Sequence, residues 1–160
     1  MKNIRSQIYP SSQELYQLLN KARILQEAHP DQPIAPVFVC RKTHRTSFWM
    51  AQQLGFLIIE RGAQFAGTVE DEETLHKVRI ELHFQDLLPG NGPSLRVRDR
   101  FRDTLPKYAA TYAAKWQKTV ANLDLADCIR QLKSAKNYAE RSQLMALFRE
   151  HVKRAGHLGF

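Results

Sequence analysis

Apolar residues recur at helical intervals after Ser11. Leu15, Leu18, Leu19, Ala22, Leu25 and Ala28 line one face, and this spacing predicts a helix. Ser11 and Glu14 have capping-box spacing at its start, and Pro30 and Pro33 end it. Pro36 to Cys40 is a short apolar run rich in β-branched residues and reads as a buried strand. The basic stretch Arg41-Lys42-Thr43-His44-Arg45 follows. It leads into a second helix, capped by Thr43 or Thr46, that carries Phe48, Trp49, Met50, Ala51 and Leu54 and stops at Gly55. Phe56 to Ile59 is a second buried run. Strand, helix and strand predict a βαβ unit with parallel strands.

Gly62 and Gly67 bracket the end of that strand or a bulge, and Glu70 to Glu73 reads as an acidic turn. From Lys77 to Phe84 the chain alternates, with Val78, Ile80, Leu82 and Phe84 opposed to Lys77, Arg79, Glu81 and His83. A period of two predicts a third, half-buried strand, antiparallel to its predecessor. The competing reading is a helix from Thr74 to Leu88, which would spread its apolar residues over opposite faces. Pro89 to Ser94 is the clearest break in the pattern. Three helices are predicted beyond it. The first runs from about Thr104 to Asn122, with Pro106 in its opening turn and Ala109, Tyr112, Ala113, Trp116 and Val120 inward. The second runs from Leu125 to Ala135 with Asp124 as cap and Leu125, Cys128, Ile129 and Leu132 inward. The third runs from Tyr138 to Ala155 with Leu144, Leu147, Phe148 and Val152 inward and Gly156 as its stop. The expected fold is therefore α/β: a small mixed sheet of about three strands containing one βαβ unit over residues 1–88. A helical segment, 95–160, packs back on it as one compact domain.

Charge changes this picture. The whole chain carries a formal net charge of +8. Residues 1–94 hold ten Lys/Arg and ten Asp/Glu, whereas residues 95–160 hold fourteen against six. The surplus thus belongs to the helical part alone. A segregated surplus makes a directional field, and its commonest partner is a polyanion. A chain of 160 residues with 43% apolar and 25% charged residues has the composition of an ordinary globular protein. Its beginning lacks the apolar stretch of a signal peptide, and no apolar run approaches a bilayer span. Cys40 and Cys128 read as two buried, reduced thiols. These features lead to the expectation of a cytoplasmic protein with no membrane partner and no cofactor.

Two stretches are candidates for contacting phosphates. Arg96, Arg98, Arg100 and Arg102 occupy every second position, followed by Lys107. In an extended segment all four guanidinium groups would share a side. In a helix they would split into the pairs Arg96/Arg100 and Arg98/Arg102. Guanidinium pairs with phosphate in bidentate fashion, which suits backbone contacts. The second stretch is Arg41, Lys42, His44 and Arg45, between a strand end and a helix start, where α/β folds gather their ligands. Tyr108, Tyr112 and Trp116, four residues apart, fit either core packing or base stacking. The predicted function is nucleic-acid binding, with DNA and RNA not distinguished. A protein-interaction subunit with an acidic partner, or a homo-oligomer, is a further expectation from the same basic face.

Enzymatic patterns are incomplete. Phe38-Val39-Cys40 through Arg45-Thr46-Ser47 resembles the phosphate loop of low-molecular-weight tyrosine phosphatases, which place five residues between a nucleophilic cysteine and an arginine. Here four residues separate Cys40 from Arg45. Pro30-Asp31 followed by Cys40-Arg41-Lys42 resembles the signature of restriction-endonuclease-like nucleases, with Cys40 standing where that family has an acidic ligand. A metal-dependent endonuclease would need Mg²⁺ and converging carboxylates. Glu60, Asp71, Glu81 and Asp86 could supply these if adjacent strands bring them together. Glu60, Glu81 and His83 are the catalytic candidates on that reading, and no complete metal-ligand set is legible.

Overall fold

The computed structural model describes residues 7–61, 64–65, 71–81, 87–88 and 95–156. Helices dominate it, beside a small two-stranded parallel sheet. Helix α1 (Gln13–Ala28) starts one residue later than the capping-box spacing predicts. Ser12 is its N-cap, and its hydroxyl accepts the Tyr9 N–H at 2.9 Å instead of capping the helix. The inward face is Leu15, Tyr16, Leu19, Ala22 and Gln26, while Leu25 faces water. Gln26 is buried because its amide donates to the carbonyls of His29 and Gln32, both at 3.0 Å, which ties down the proline turn.

Strand β1 (Val37–Cys40) pairs in parallel with β2 (Leu57–Glu60), Val37 beside Leu57 and Cys40 beside Glu60. Helix α2 (Arg45–Leu54) connects them. Its cap is His44, not a threonine: Nδ1 accepts the Thr46 N–H at 3.3 Å. Met50, Ala51 and Leu54 face the core as expected, joined by Ser47, while Phe48 and Trp49 are exposed. The two-residue strands β3 (Gln64–Phe65) and β4 (Leu87–Leu88) form a second parallel pair.

Of the strand expected at Lys77–Phe84, the described residues Lys77–Glu81 belong instead to helix α3 (Glu72–Glu81), so the competing helical reading holds over that stretch, though not at Leu87–Leu88. Local signals outweigh the alternation. The Asp71 carboxylate accepts the N–H groups of Glu73 and Thr74 at 2.9 and 3.1 Å. Two acidic residues open the helix where its dipole favours them, and Glu73 pairs with Lys77 one turn on at 2.9 Å. Leu75 is buried and Ile80 is exposed. The expected break at Pro89–Ser94, the glycines Gly62 and Gly67, and the residues His83, Phe84 and Asp86 lie outside the described residues.

Beyond this point the helix begins at Leu95, nine residues earlier than expected. It runs through α4 (Leu95–Asp99), a π-helical turn (Arg100–Thr104) and α5 (Leu105–Ala121). Pro106 explains the wide turn. Proline has no N–H to donate and its ring would strike the carbonyl four residues back. The turn opens just upstream, and the Leu105 N–H reaches back five residues to the Arg100 carbonyl. Helices α6 (Leu123–Ser134) and α7 (Tyr138–Arg154) follow, capped by Asn122 and Asn137 rather than Asp124. Leu125, Cys128, Ile129 and Leu132 face inward as expected. On α7 Met145 takes the buried place predicted for Leu147.

One hydrophobic core draws on both parts of the chain. It joins Ile8, Leu15, Tyr16, Phe38, Met50 and Phe56 to Trp116, Ile129, Phe148 and Val152. At its centre the fully buried Tyr16 hydroxyl donates to the Met145 sulfur at 3.1 Å, and its ring meets Phe148 edge-on. The α2–α5 contact is close. Gly55, at φ +86°, ends α2 directly against the α5 backbone. Thr119 Oγ1 donates to the Leu54 carbonyl at 2.9 Å, and Lys115 Nζ donates to the Gln52 carbonyl at 2.8 Å. Helix α5 thereby supplies donors that the last turn of α2 lacks. Among the described residues no helix is long and apolar enough to cross a membrane.

Candidate nucleic-acid interface

Parallel pairing sends the residues that follow β1 and β2 out of the sheet at the same edge. The Arg61 N–H donates to the Cys40 carbonyl at 2.8 Å, so Arg61 leaves β2 alongside the start of the Arg41–Arg45 loop. Lys42 and Arg45 are exposed there and Arg41 is half-buried. Burial lowers the Arg41 guanidinium somewhat from its ordinary value. Arg61 is absent from the sequence-derived set. Its signal was available, since it follows β2 as Arg41 follows β1.

The loop is fixed by its backbone. Ile8 forms a parallel bridge with Thr43. The His44 N–H donates to the Ile8 carbonyl at 2.7 Å, and the Ile8 N–H donates to Lys42 O at 3.0 Å. The Thr43 N–H donates to Glu60 Oε1 at 2.7 Å. Ser47 N–H returns to His44 O, and Thr46 N–H is held by His44 Nδ1. The N–H groups of Thr43, His44, Thr46 and Ser47 are thus already engaged, and the Glu60 carboxylate lies against the loop at Thr43. The loop offers charged side chains rather than a cradle of N–H groups. His44 is committed to capping α2, with its ring stacked on Tyr9 at 5.1 Å.

This arrangement also removes the phosphatase-like reading. Cys40 is buried, and burial, reinforced by the Glu60 carboxylate, pushes its thiol up to about 12. A nucleophilic cysteine needs the opposite shift. Three of the four carboxylates of the nuclease-like reading are described, and each has a separate local place. Glu60 is bonded to Thr43, Asp71 caps α3, and Glu81 ends a helix instead of lying on a strand. Among the described residues no group of three or more His, Cys, Asp or Glu side chains could hold a metal ion.

The arginine series lies on a helix and therefore splits. Arg98 pairs with Asp99 at 3.3 Å. Arg102 pairs with Asp103 at 2.8 Å and Asp99 at 3.6 Å, and its hydrogen bond to Asp103 raises the guanidinium further above its ordinary value. These two arginines are neutralised by neighbours on their own helix. Arg96 lies in the first turn of α4, and Lys107 stands 5.2 Å from the Tyr108 ring centre. Arg100 is placed differently. It donates to Thr104 Oγ1 at 3.3 Å and lines a groove of about 510 Å³ between α2, β2 and α5. Glu60 lines the same groove, which links Arg100 through Glu60 to the Thr43 end of the loop. Tyr108 and Tyr112 are in its wall, whereas Trp116 is entirely core. Comparison with protein families, curated proteins and solved structures finds no match for this chain.

Proposed function

We propose that this protein binds nucleic acid, DNA or RNA, by its phosphate backbone. β1, α2 and β2 serve as a βαβ unit whose carboxyl edge carries the contacts, in a cytoplasmic setting. This reading is supported by two placements: the loop after β1 and Arg61 after β2 leave the sheet at the same end, and Arg100 lines a groove that reaches Glu60, the last residue of β2. The loop brings Arg41, Lys42 and Arg45, β2 brings Arg61, and the π-helical turn brings Arg100 into the groove beside Glu60. Lys107 follows in the opening turn of α5, while Arg98 and Arg102 belong to local ion pairs. Contacts made by side-chain charge, without a backbone cradle, position a strand but read no sequence. Binding is accordingly sequence-tolerant and weakens with salt as counterions are released.

Fluorescence anisotropy with labelled oligonucleotides over a salt series tests this. Affinity falls steeply with salt, and Lys42→Ala, Arg45→Ala and Arg100→Ala each flatten the log–log slope by about 0.7 to 0.9. Undetectable binding to both DNA and RNA at low salt refutes the proposal.

A further inference from the structure

We infer that the groove between α2 and α5 seats one unpaired base of the bound strand, a deepening that rests on the nucleic-acid reading. Its walls are chemically mixed in a way that suits a nucleotide. Phe48 and Tyr108 line it and are 37% and 41% exposed, so two aromatic rings stand open to water with no packing partner covering them fully. Ile58 and Leu105 add aliphatic surface. Tyr112 is half-buried, and burial, with Tyr108 beside it, raises its hydroxyl above the ordinary value, so it remains a neutral donor. A purely apolar ligand would leave Arg100 and Glu60 unused. A free phosphate would leave the rings unused and meet the Glu60 carboxylate.

A nucleotide uses all of these. Its base presents a π face to the aromatic wall, and its ring edge carries N–H groups that a carboxylate accepts. One Glu60 oxygen holds the Thr43 N–H, and a carboxylate has acceptor positions for a second donor. Its phosphate matches Arg100, whose guanidinium is oriented by the bond to Thr104. A groove of about 510 Å³ lies in the size range of small-ligand sites. A base within a duplex is stacked and paired, so only a single strand, an end or a loop can fill the groove.

The test compares one labelled single strand with its own duplex, at one salt concentration, for wild type, Tyr108→Ala, Phe48→Ala and Tyr108→Trp. The alanine variants lose about five- to a hundredfold in single-strand affinity, the range of base–aromatic stacking, and keep duplex affinity and salt slope. Tyr108→Trp retains affinity, and the new indole is quenched when the single strand binds. Two exposed positions are used so that a folding defect at one leaves the other informative. Equal losses for single strand and duplex, or no loss in either alanine variant, overturn the base seat while leaving the phosphate-binding proposal standing. Wild-type protein that binds neither form overturns both.

Discussion

Gly55→Ala probes the joint on which the groove depends. Gly55 has φ +86° and ψ 37°, a left-handed conformation in which an L-residue loses about 1–2 kcal/mol. The larger effect is steric. A Cβ on Gly55 would lie 2.3 Å from Trp116 N and 2.6 Å from both Tyr112 O and Lys115 Cβ. Carbon contacts settle near ~3.5 Å, so the end of α2 must withdraw from the α5 backbone by roughly 1 Å. The Thr119–Leu54 bond at 2.9 Å and the Lys115–Gln52 bond at 2.8 Å then stretch beyond useful range. The Leu54 carbonyl loses its buried partner, about 1–3 kcal/mol. Overpacking beside Leu54 and Trp116 adds about 1–3 kcal/mol. The sum is on the order of 5 kcal/mol, a large share of the ~5–15 kcal/mol that holds a typical domain together. Gly156→Ala is the matched control. Gly156 has φ +80°, but nothing lies within 4 Å of its added Cβ, so only the left-handed term of about 1 kcal/mol applies. Urea unfolding followed by far-ultraviolet circular dichroism compares the two. Should both substitutions destabilise equally, the close α2–α5 approach is wrong.

Two further outcomes follow from the buried polar groups. Burial raises the Cys40 thiol to about 12 and the Cys128 thiol to about 11, from an ordinary 9.0, and raises the Tyr16 hydroxyl as well. Groups that ionise less readily when folded support the fold fully below their unfolded values. Stability therefore declines as pH climbs from about 9 toward 11 and 12, by about 1.4 kcal/mol for each tenfold difference in acidity between the folded and unfolded chain. Urea midpoints measured across that range fall, the Cys40→Ala profile is shallower, and a flat wild-type profile contradicts the burial argument. Thr119→Val keeps the shape of the side chain but removes the donor to Leu54 O, lowering stability by about 1–3 kcal/mol. Thr119→Ser retains the hydroxyl and most of the stability, and a serine variant as weak as valine argues against the bond.

The helices and the β1–β2 runs were legible from their periodicities and stops, while the caps fell to Ser12, His44 and Asn122 and not to the residues expected. The exceptions each have a local cause. At 72–81 a strict alternation competed with an aspartate cap and an acidic first turn, and the short-range signals prevailed. At 95–104 the proline looked like a beginning because a widened turn leaves no mark in hydrophobic spacing. The basic loop was visible as charge, but its use of backbone donors was not. The His44 and Thr43 N–H groups are taken by Ile8 and Glu60, thirty-six and seventeen positions away. Arg61 escaped notice for a related reason, since its position follows from strand pairing and not from its neighbours in the chain.

The Ile8 main-chain oxygen receives the His44 N–H and the hydroxyls of Thr43 and Ser47. Three donors converge on one uncharged atom, and Ile8 is itself sealed in the interior. That oxygen works as a keystone: an excised β1–α2–β2 peptide would retain Arg41, Lys42 and Arg45 and forfeit their arrangement. On the proposed phosphate binding, a mould set in advance would lose little freedom on closing around its ligand, its geometry inherited from a residue sealed in the core.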